Sequence, residues 1–267
     1  MTPVRTAVIM ARGLGTRMRK QSEAVLNEGQ ETMAARGMKG MIDVGRPFLD
    51  HVITAAADSG ITDVCLIIGP EHDEIRAYYT NIAKERVRIS FAVQAEPRGT
   101  GDAVAAAEAS VGTEPFLVLN SDNYYPAGAL AMLQSVPGCG LVGFEPESLA
   151  KGNIPAERIK GFALLETADG QLKSLVEKPD QETIDRLGAA ALVSMNCYRF
   201  TPAIFDYLRE LTPSPRGEYE LTDAVRAAVA AGEPFAVVPS SEAVLDLSTR
   251  QDVSGVEAAL RGRPVSL

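Results

Sequence analysis

The 267 residues carry 26 Lys and Arg against 35 Asp and Glu, a net charge of −9, and 46% of them are hydrophobic with no low-complexity tract. Such a chain buries a sizeable core as one large domain or a domain with an appended lobe, and its acidic surface argues against nucleic acid or an anionic membrane as partner. Cys65, Cys139 and Cys197 are widely spaced without a CxxC pair, which excludes a disulfide framework or a cysteine zinc site; no apolar run has membrane-spanning or signal-peptide character, so a cytoplasmic location is expected.

A strand over 4–10 opens the chain and stops in a glycine turn followed by cations, in the run from Ala7 to Arg19. Gly13 and Gly15 lack side chains where backbone N–H groups would approach an oxyanion, and Arg17 and Arg19 stand beside them. The turn reads as a phosphate cradle, although an ordinary strand-to-helix turn with solvated arginines fits the same residues. It is not a Walker loop, because no Lys-Ser or Lys-Thr pair follows the glycines. Met18 stands where a Rossmann fingerprint needs its third glycine, so dinucleotide binding is weakly supported. The polar stretch 20–38 reads as a partly helical, mobile flap over the end of the first strand.

Helix 47–59, strand 63–68, helix 71–83, strand 88–94, helix 100–110, strand 115–120, helix 127–135 and strand 140–144 then alternate. This is the mark of βαβ crossovers and a mostly parallel sheet, with ligands at the carboxyl ends of its strands. His51 within a helical pattern and His72 just after a strand have no metal-ligand or triad partner nearby and read as structural. Beyond 145 the pattern changes. Strands near 161–167 and 172–178 join in a hairpin at Asp169-Gly170, followed by strand 189–199, helices 202–210 and 219–231, strands 235–239 and 242–247, and a last helix 250–261. The expected fold is α/β: a Rossmann-like, mostly parallel mixed sheet flanked by helices, with a small hairpin subregion. No linker divides 1–145 from 146–267, so a single domain with both halves on one sheet is expected.

The segments Gly13-Leu-Gly-Thr-Arg-Met18, Lys39, Gln94 to Ala103, Leu119-Asn-Ser-Asp122, Glu177-Lys-Pro179, Asn196 and Gly217 to Asp223 follow one another in a familiar order. In this the chain resembles the sugar-1-phosphate nucleotidyltransferases, over nearly its whole length. The resemblance implies a glycosyltransferase-A-like fold and transfer of a nucleotidyl group from an NTP to a sugar 1-phosphate, with Mg²⁺ and release of pyrophosphate. It implies that Ala11, Gly13, Leu14, Gly15 and Thr16 cradle the triphosphate while Arg17 and Lys39 pair with its β- and γ-oxygens. Gln94, Gly99 and Thr100 would hold the base; Gly161, Glu177 and Asn196 would hydrogen-bond sugar hydroxyls; Lys178 would grip the acceptor phosphate. These roles suit phosphoryl chemistry, in which two anions must be neutralised and held in line.

Asp122 ends strand 115–120 at the carboxyl edge, where a hard carboxylate suits Mg²⁺. Asp246 matches the family's second metal aspartate more loosely: Val244 replaces the family's Trp and Ser248-Thr249 its Gly-Thr, so a plain strand-end aspartate also fits. Gln94-Ala-Glu with Gly99-Thr-Gly101 is closest to UDP-sugar enzymes, while Gly101-Asp102-Ala103 also resembles ADP-glucose enzymes. UTP and a hexose 1-phosphate are the expected substrates. Guanylyl, adenylyl or cytidylyl transfer to a cyclitol or other non-sugar phosphate, and a non-catalytic nucleotide-sugar sensor, are the alternatives. Arg12 sits where the family keeps a small residue, and either points outward or adds a phosphate contact. With no hexapeptide-repeat tail after the last helix, a monomer or homodimer is expected.

Overall fold

A computed structural model describes residues 3–188 and 190–267. Its strands are β1 (Thr6–Met10), β2 (Asp63–Ile68), β3 (Arg88–Val93), β4 (Phe116–Asn120), β5 (Asn123–Tyr124), β6 (Cys139–Phe144), β7 (Leu164–Ala168), β8 (Gln171–Val176), β9 (Val193–Phe200), β10 (Phe235–Ser240) and β11 (Leu245–Asp246). Ala189, the first residue of the strand expected over 189–199, lies outside the described residues.

Nine strands form one sheet in the order β3-β2-β1-β4-β9-β6-β10-β8-β7, and β11 pairs with β5 separately. β3, β2, β1 and β4 are mutually parallel, as are β6 and β10. β9 runs antiparallel between β4 and β6, and β8 runs antiparallel to β10 and β7. The mixed sheet therefore keeps a common direction everywhere except in β8 and β9.

β1 and β4 are unbroken apolar runs because helices cover both of their faces. Their side chains alternate: Ala7, Ile9, Leu117 and Leu119 enter one core, while Val8, Phe116 and Val118 enter the other. The first core takes helix Phe48–Asp58, whose residues from Phe48 to Ala57 are all buried. The second takes helices Thr100–Ala105, Ile204–Arg209 and Leu221–Ala230.

Several features depart from the expected elements: strand 242–247 is only Leu245–Asp246, strand 189–199 runs Val193–Phe200, and the short strand Asn123–Tyr124 was not expected. Helix 100–110 is two pieces, Thr100–Ala105 and Glu108–Val111, because the chain bends so that Ala107 and Val111 both reach the core. Helices Pro146–Lys151, Ala156–Ile159 and Gln181–Leu187 are too short to show a helical period. The stretch 20–38 holds an anchored helix in place of a mobile flap. Asn27 caps helix Glu28–Arg36 in a capping box with Gln30, and Ala34 is fully buried. Arg250, itself 2% exposed, pairs with Glu31 and donates to the Met18 carbonyl at 2.9 Å.

Arg250→Met should leave that carbonyl and Glu31 without their partner, costing about 1–3 kcal/mol of stability. Hydrogen exchange should quicken over residues 28–38; unchanged exchange there would show that Arg250 is not the anchor.

Candidate active site

A cleft of about 450 Å³ opens at the carboxyl ends of β1 to β4. The turn after β1 forms its floor. Gly15 has φ +61°, a conformation that side-chain-bearing residues rarely adopt, and a Cβ there would overlap the backbone of Gly37. Gly13 is different: a Cβ would meet nothing within 4 Å, so the space above it is left to a ligand. Among the described residues, the amides of Gly13, Leu14 and Gly15 donate no internal hydrogen bond. Buried or ligand-facing amides seek acceptors, and three in succession make a concavity for an anion.

Around this floor stand cations and a carboxylate. Arg17 lines the cleft and donates to Ser248 Oγ at 3.2 Å. Lys39, on the 3₁₀ turn Lys39–Met41, meets Asp122 Oδ2 at 2.7 Å. Arg19, expected beside Arg17, does not line the cleft; it donates to the Arg36 carbonyl at 2.8 Å and straps the anchored helix to the turn. Arg12 does not turn outward: it lines the cleft beside the turn. Its side chain is 7% exposed and pairs sideways with Glu71 at the end of β2 through two contacts of 3.2 Å, and its Nη1 has no partner among the described residues.

The side of the cleft where the base is expected is built by β3 and the loop after it. Gln94 is buried at the end of β3, and its Nε2 donates to Gly99 O at 3.0 Å and Asp102 Oδ2 at 2.8 Å. Both partners are acceptors, so the amide can stand only one way round, and its Oε1 is left for a ligand. Loop 98–101 is laced to 219–221: Gly101 N reaches Tyr219 O at 2.7 Å, Tyr219 N reaches Arg98 O at 2.7 Å, and Thr100 Oγ1 accepts from Leu221 N at 3.0 Å. Gly99, at φ +113°, allows that approach, since a Cβ would press on Tyr219.

Asp246 is buried on β11, opposite Asn123. Its Oδ1 accepts from Ser248 Oγ at 2.8 Å and Asn123 Nδ2 at 3.1 Å, and its Oδ2 from Arg158 at 2.6 Å. Burial raises its carboxyl above the ordinary range, and the charge of nearby Asp122 raises it further. Of a carboxylate's roughly four lone pairs, one on Oδ2 is unspent. Asp122 lines the cleft with Oδ1 unbonded among the described residues, so it fits a hard cation directly; Asp246 fits only through that last lone pair. Among the described residues no group of three or more His, Cys, Asp or Glu forms a metal cage. Mg²⁺ needs none, since it binds through one or two carboxylates, waters and substrate phosphates.

Of Gly161, Glu177, Lys178 and Asn196, the residues expected on the acceptor side, Asn196 alone lines the cleft. The register shift between β6 and β9 sets it at φ +55°, a strained conformation for a residue with a side chain. Lys178 is also left-handed, at φ +46°, and exposed after β8. Glu177 accepts from Thr222 Oγ1 at 2.5 Å, and Gly161 follows helix Ala156–Ile159; neither lines the cleft, nor does Lys178.

A family model described as "Nucleotidyl transferase" matches residues 6–259. The chain belongs to that family. It is 28% identical over 224 residues to the low-salt glycan biosynthesis nucleotidyltransferase Agl11 of Haloferax volcanii, covering 82% of this chain and 56% of that protein. To the UTP–glucose-1-phosphate uridylyltransferase of Bacillus subtilis it is 29% identical over 257 residues, covering 85% of this chain and 80% of that one. The chain spans about half the length of Agl11 and of a bifunctional GlmU protein of Methanococcus vannielii, 56% and 49% respectively. A crystal structure of UDP-glucose pyrophosphorylase with UDP-glucose superposes with a TM-score of 0.76 at 20% identity, covering 98% of this chain and all of the other, and shows the fold.

In this member of the nucleotidyl transferase family, Ser248, Arg158 and Glu218 join the site without a role having been expected of them from the sequence. Ser248 links Arg17 to Asp246, Arg158 neutralises Asp246 and Asp252, and Glu218 lines the cleft. The signal for Ser248 was its place where the family has glycine; Arg158 lies on a one-turn helix and carried none. No helix among the described residues is long and apolar enough to cross a membrane.

Proposed function

We propose that the protein transfers a nucleotidyl group from an NTP, UTP by preference, to a hexose 1-phosphate, giving the NDP-sugar and pyrophosphate. The observation that carries this reading is the meeting in one cleft of unpaired turn amides, Arg17, Lys39, Asp122 and Asn196. The names of the uridylyl- and other nucleotidyltransferase relatives support it.

An oxygen of the acceptor phosphate attacks the α-phosphorus; the bond from that phosphorus to the bridging oxygen breaks, and pyrophosphate leaves with the electron pair. The amides of Gly13 to Gly15 hold the triphosphate, with Ala11, Leu14 and Thr16 shaping the floor. Lys39 exchanges Asp122 for phosphate oxygens, and Arg17 pairs with the charge that grows on the leaving group. Asp122, with the last lone pair of Asp246, would hold Mg²⁺, which would supply neutralisation of phosphate charge. Asn196 orients the sugar, with Gly161, Glu177 and Lys178 completing the acceptor side. The segment 1–145 thus serves the nucleotide and 146–267 the sugar phosphate. The protein works without nucleic acid or membrane partners, in the cytoplasm, as a monomer or homodimer.

The preference for UTP rests on Gln94. An Oε1 without a partner among the described residues accepts from the N3–H of uracil, whereas adenine N1 and cytosine N3 are themselves acceptors and repel it. Guanine, with N1–H, satisfies the same atom and must be told apart by size. Asp102, held in turn by Arg98 at 2.7 Å, keeps the amide from flipping. Asp102→Ala should lower the UTP over CTP preference in kcat/KM about tenfold, mostly through UTP, by releasing that lock. An unchanged ratio in the folded variant would show that Gln94 does not read the base.

A further inference from the structure

A second cavity, of about 320 Å³, shares no lining residue with the cleft. Its polar wall is Arg46, His51, Glu257, Arg261 and Arg263, an excess of cations on a chain whose net charge is −9. Each guanidinium keeps donors unspent. Arg46 gives Nε and Nη2 to Asp50 Oδ2 at 3.2 and 2.9 Å, which leaves Nη1. Arg263 gives Nε to Ala259 O at 3.2 Å and Nη1 to Tyr124 Oη at 3.1 Å, which leaves Nη2. Arg261 is exposed and makes no hydrogen bond or ion pair among the described residues.

His51 supplies the independent observation. It is 4% exposed, it lines this cavity, and its Nε2 is buried with no partner among the described residues. A buried polar nitrogen without a partner is costly, and one at the wall of a cavity marks where a ligand atom would satisfy it. Burial lowers the pKa of the ring, which favours the neutral imidazole. Asp50 neutralises Arg46 and also accepts from the hydroxyls of Tyr78 and Tyr79 at 2.9 and 2.8 Å, so the cavity's unpaired positive charge among the described residues is that of Arg261 and Arg263. Glu257 accepts from Gln30 Nε2 at 3.5 Å and stands as a carboxylate in the same lining, against the two unpaired arginines.

We propose that this cavity is a second anion site, which takes the phosphate group of inorganic phosphate or of a small phosphorylated metabolite. Arg46, Arg261 and Arg263 surround the anion and the His51 N–H donates to it. The volume suits a small ligand rather than a polymer. The site adjoins the segment that carries Lys39: Val44 and Arg46 follow the 3₁₀ turn Lys39–Met41, and Gln30 ties Asp43 O to this wall at 2.8 Å.

The test uses inorganic phosphate as probe, by equilibrium dialysis and by the ring ¹⁵N signals of His51 and His72, on the wild type and three variants. Saturable binding that moves the His51 signal is expected in the wild type and, within about twofold, in Arg17→Gln, whose substitution lies in the cleft. Arg261→Gln should weaken it by about threefold and Arg261→Gln/Arg263→Gln by about tenfold or more. Arg261 has no hydrogen-bond or ion-pair partner among the described residues, so its single variant decides the matter if the double variant is unstable. No saturable binding below about 10 mM, or binding lost in Arg17→Gln and kept in the arginine variants, would overturn the proposal.

Discussion

Asp122→Asn is expected to reduce pyrophosphate release about 10³-fold or more while the protein unfolds within a few degrees of the wild type. Asp122 stands at the end of β4, in the cleft, with one oxygen on Lys39 and the other free. As the ligand that fits a hard cation directly, it carries several kcal/mol of transition-state stabilisation, and each 1.4 kcal/mol is a factor of about ten. Asparagine keeps the shape and one oxygen for Lys39, and the pair is partly solvated, so the fold loses little. Glu218→Gln, a second carboxylate of the same lining, should cost far less because it meets loop 98–101 rather than the floor. Assays of both variants with matched thermal unfolding check this; an Asp122→Asn enzyme within tenfold of wild type would remove Asp122 from its assigned role.

The second large effect separates the two glycines of the opening turn. Gly15→Ala forces a side chain into a left-handed conformation and into the Gly37 backbone, so it should destabilise the protein by about 2–4 kcal/mol and disorganise the floor. Gly13→Ala meets nothing in the protein and should leave stability unchanged or raise it by about 0.4–1 kcal/mol through the unfolded chain. Its methyl group occupies the space reserved for the ligand, so NTP affinity should fall about tenfold or more. Denaturant unfolding and nucleotide titration distinguish these outcomes. Equal destabilisation by both substitutions would mean that the turn is merely structural.

What the sequence made legible was local. The unbroken apolar runs of β1, β2 and β4 and the helical period of 48–58 depend on neighbours a few residues away, and their positions were read within one or two residues. The glycine turn and Asp122 were legible because strand-end chemistry is local too. What was not legible depends on partners far along the chain. Arg12 finds Glu71, 59 residues on, and Arg17 finds Ser248 across 231 residues, neither of which has a spacing rule. Arg19 and Arg17 look alike in sequence, yet the anchored helix takes one and leaves the other to the cleft. The antiparallel insertion of β9 is likewise non-local, and with it the strained placing of Asn196. The Gly217–Asp223 segment was visible as a motif, but its work of lacing loop 98–101 in place appears only in the fold.

The most direct measurement of the central claim is pyrophosphate release from the purified protein with Mg²⁺, each NTP in turn and a panel of sugar 1-phosphates. Rapid release with UTP and a hexose 1-phosphate, slower with GTP and least with ATP and CTP, is the predicted result. Folded protein that binds NDP-sugars yet releases no pyrophosphate with any pair would contradict it and identify a sensor.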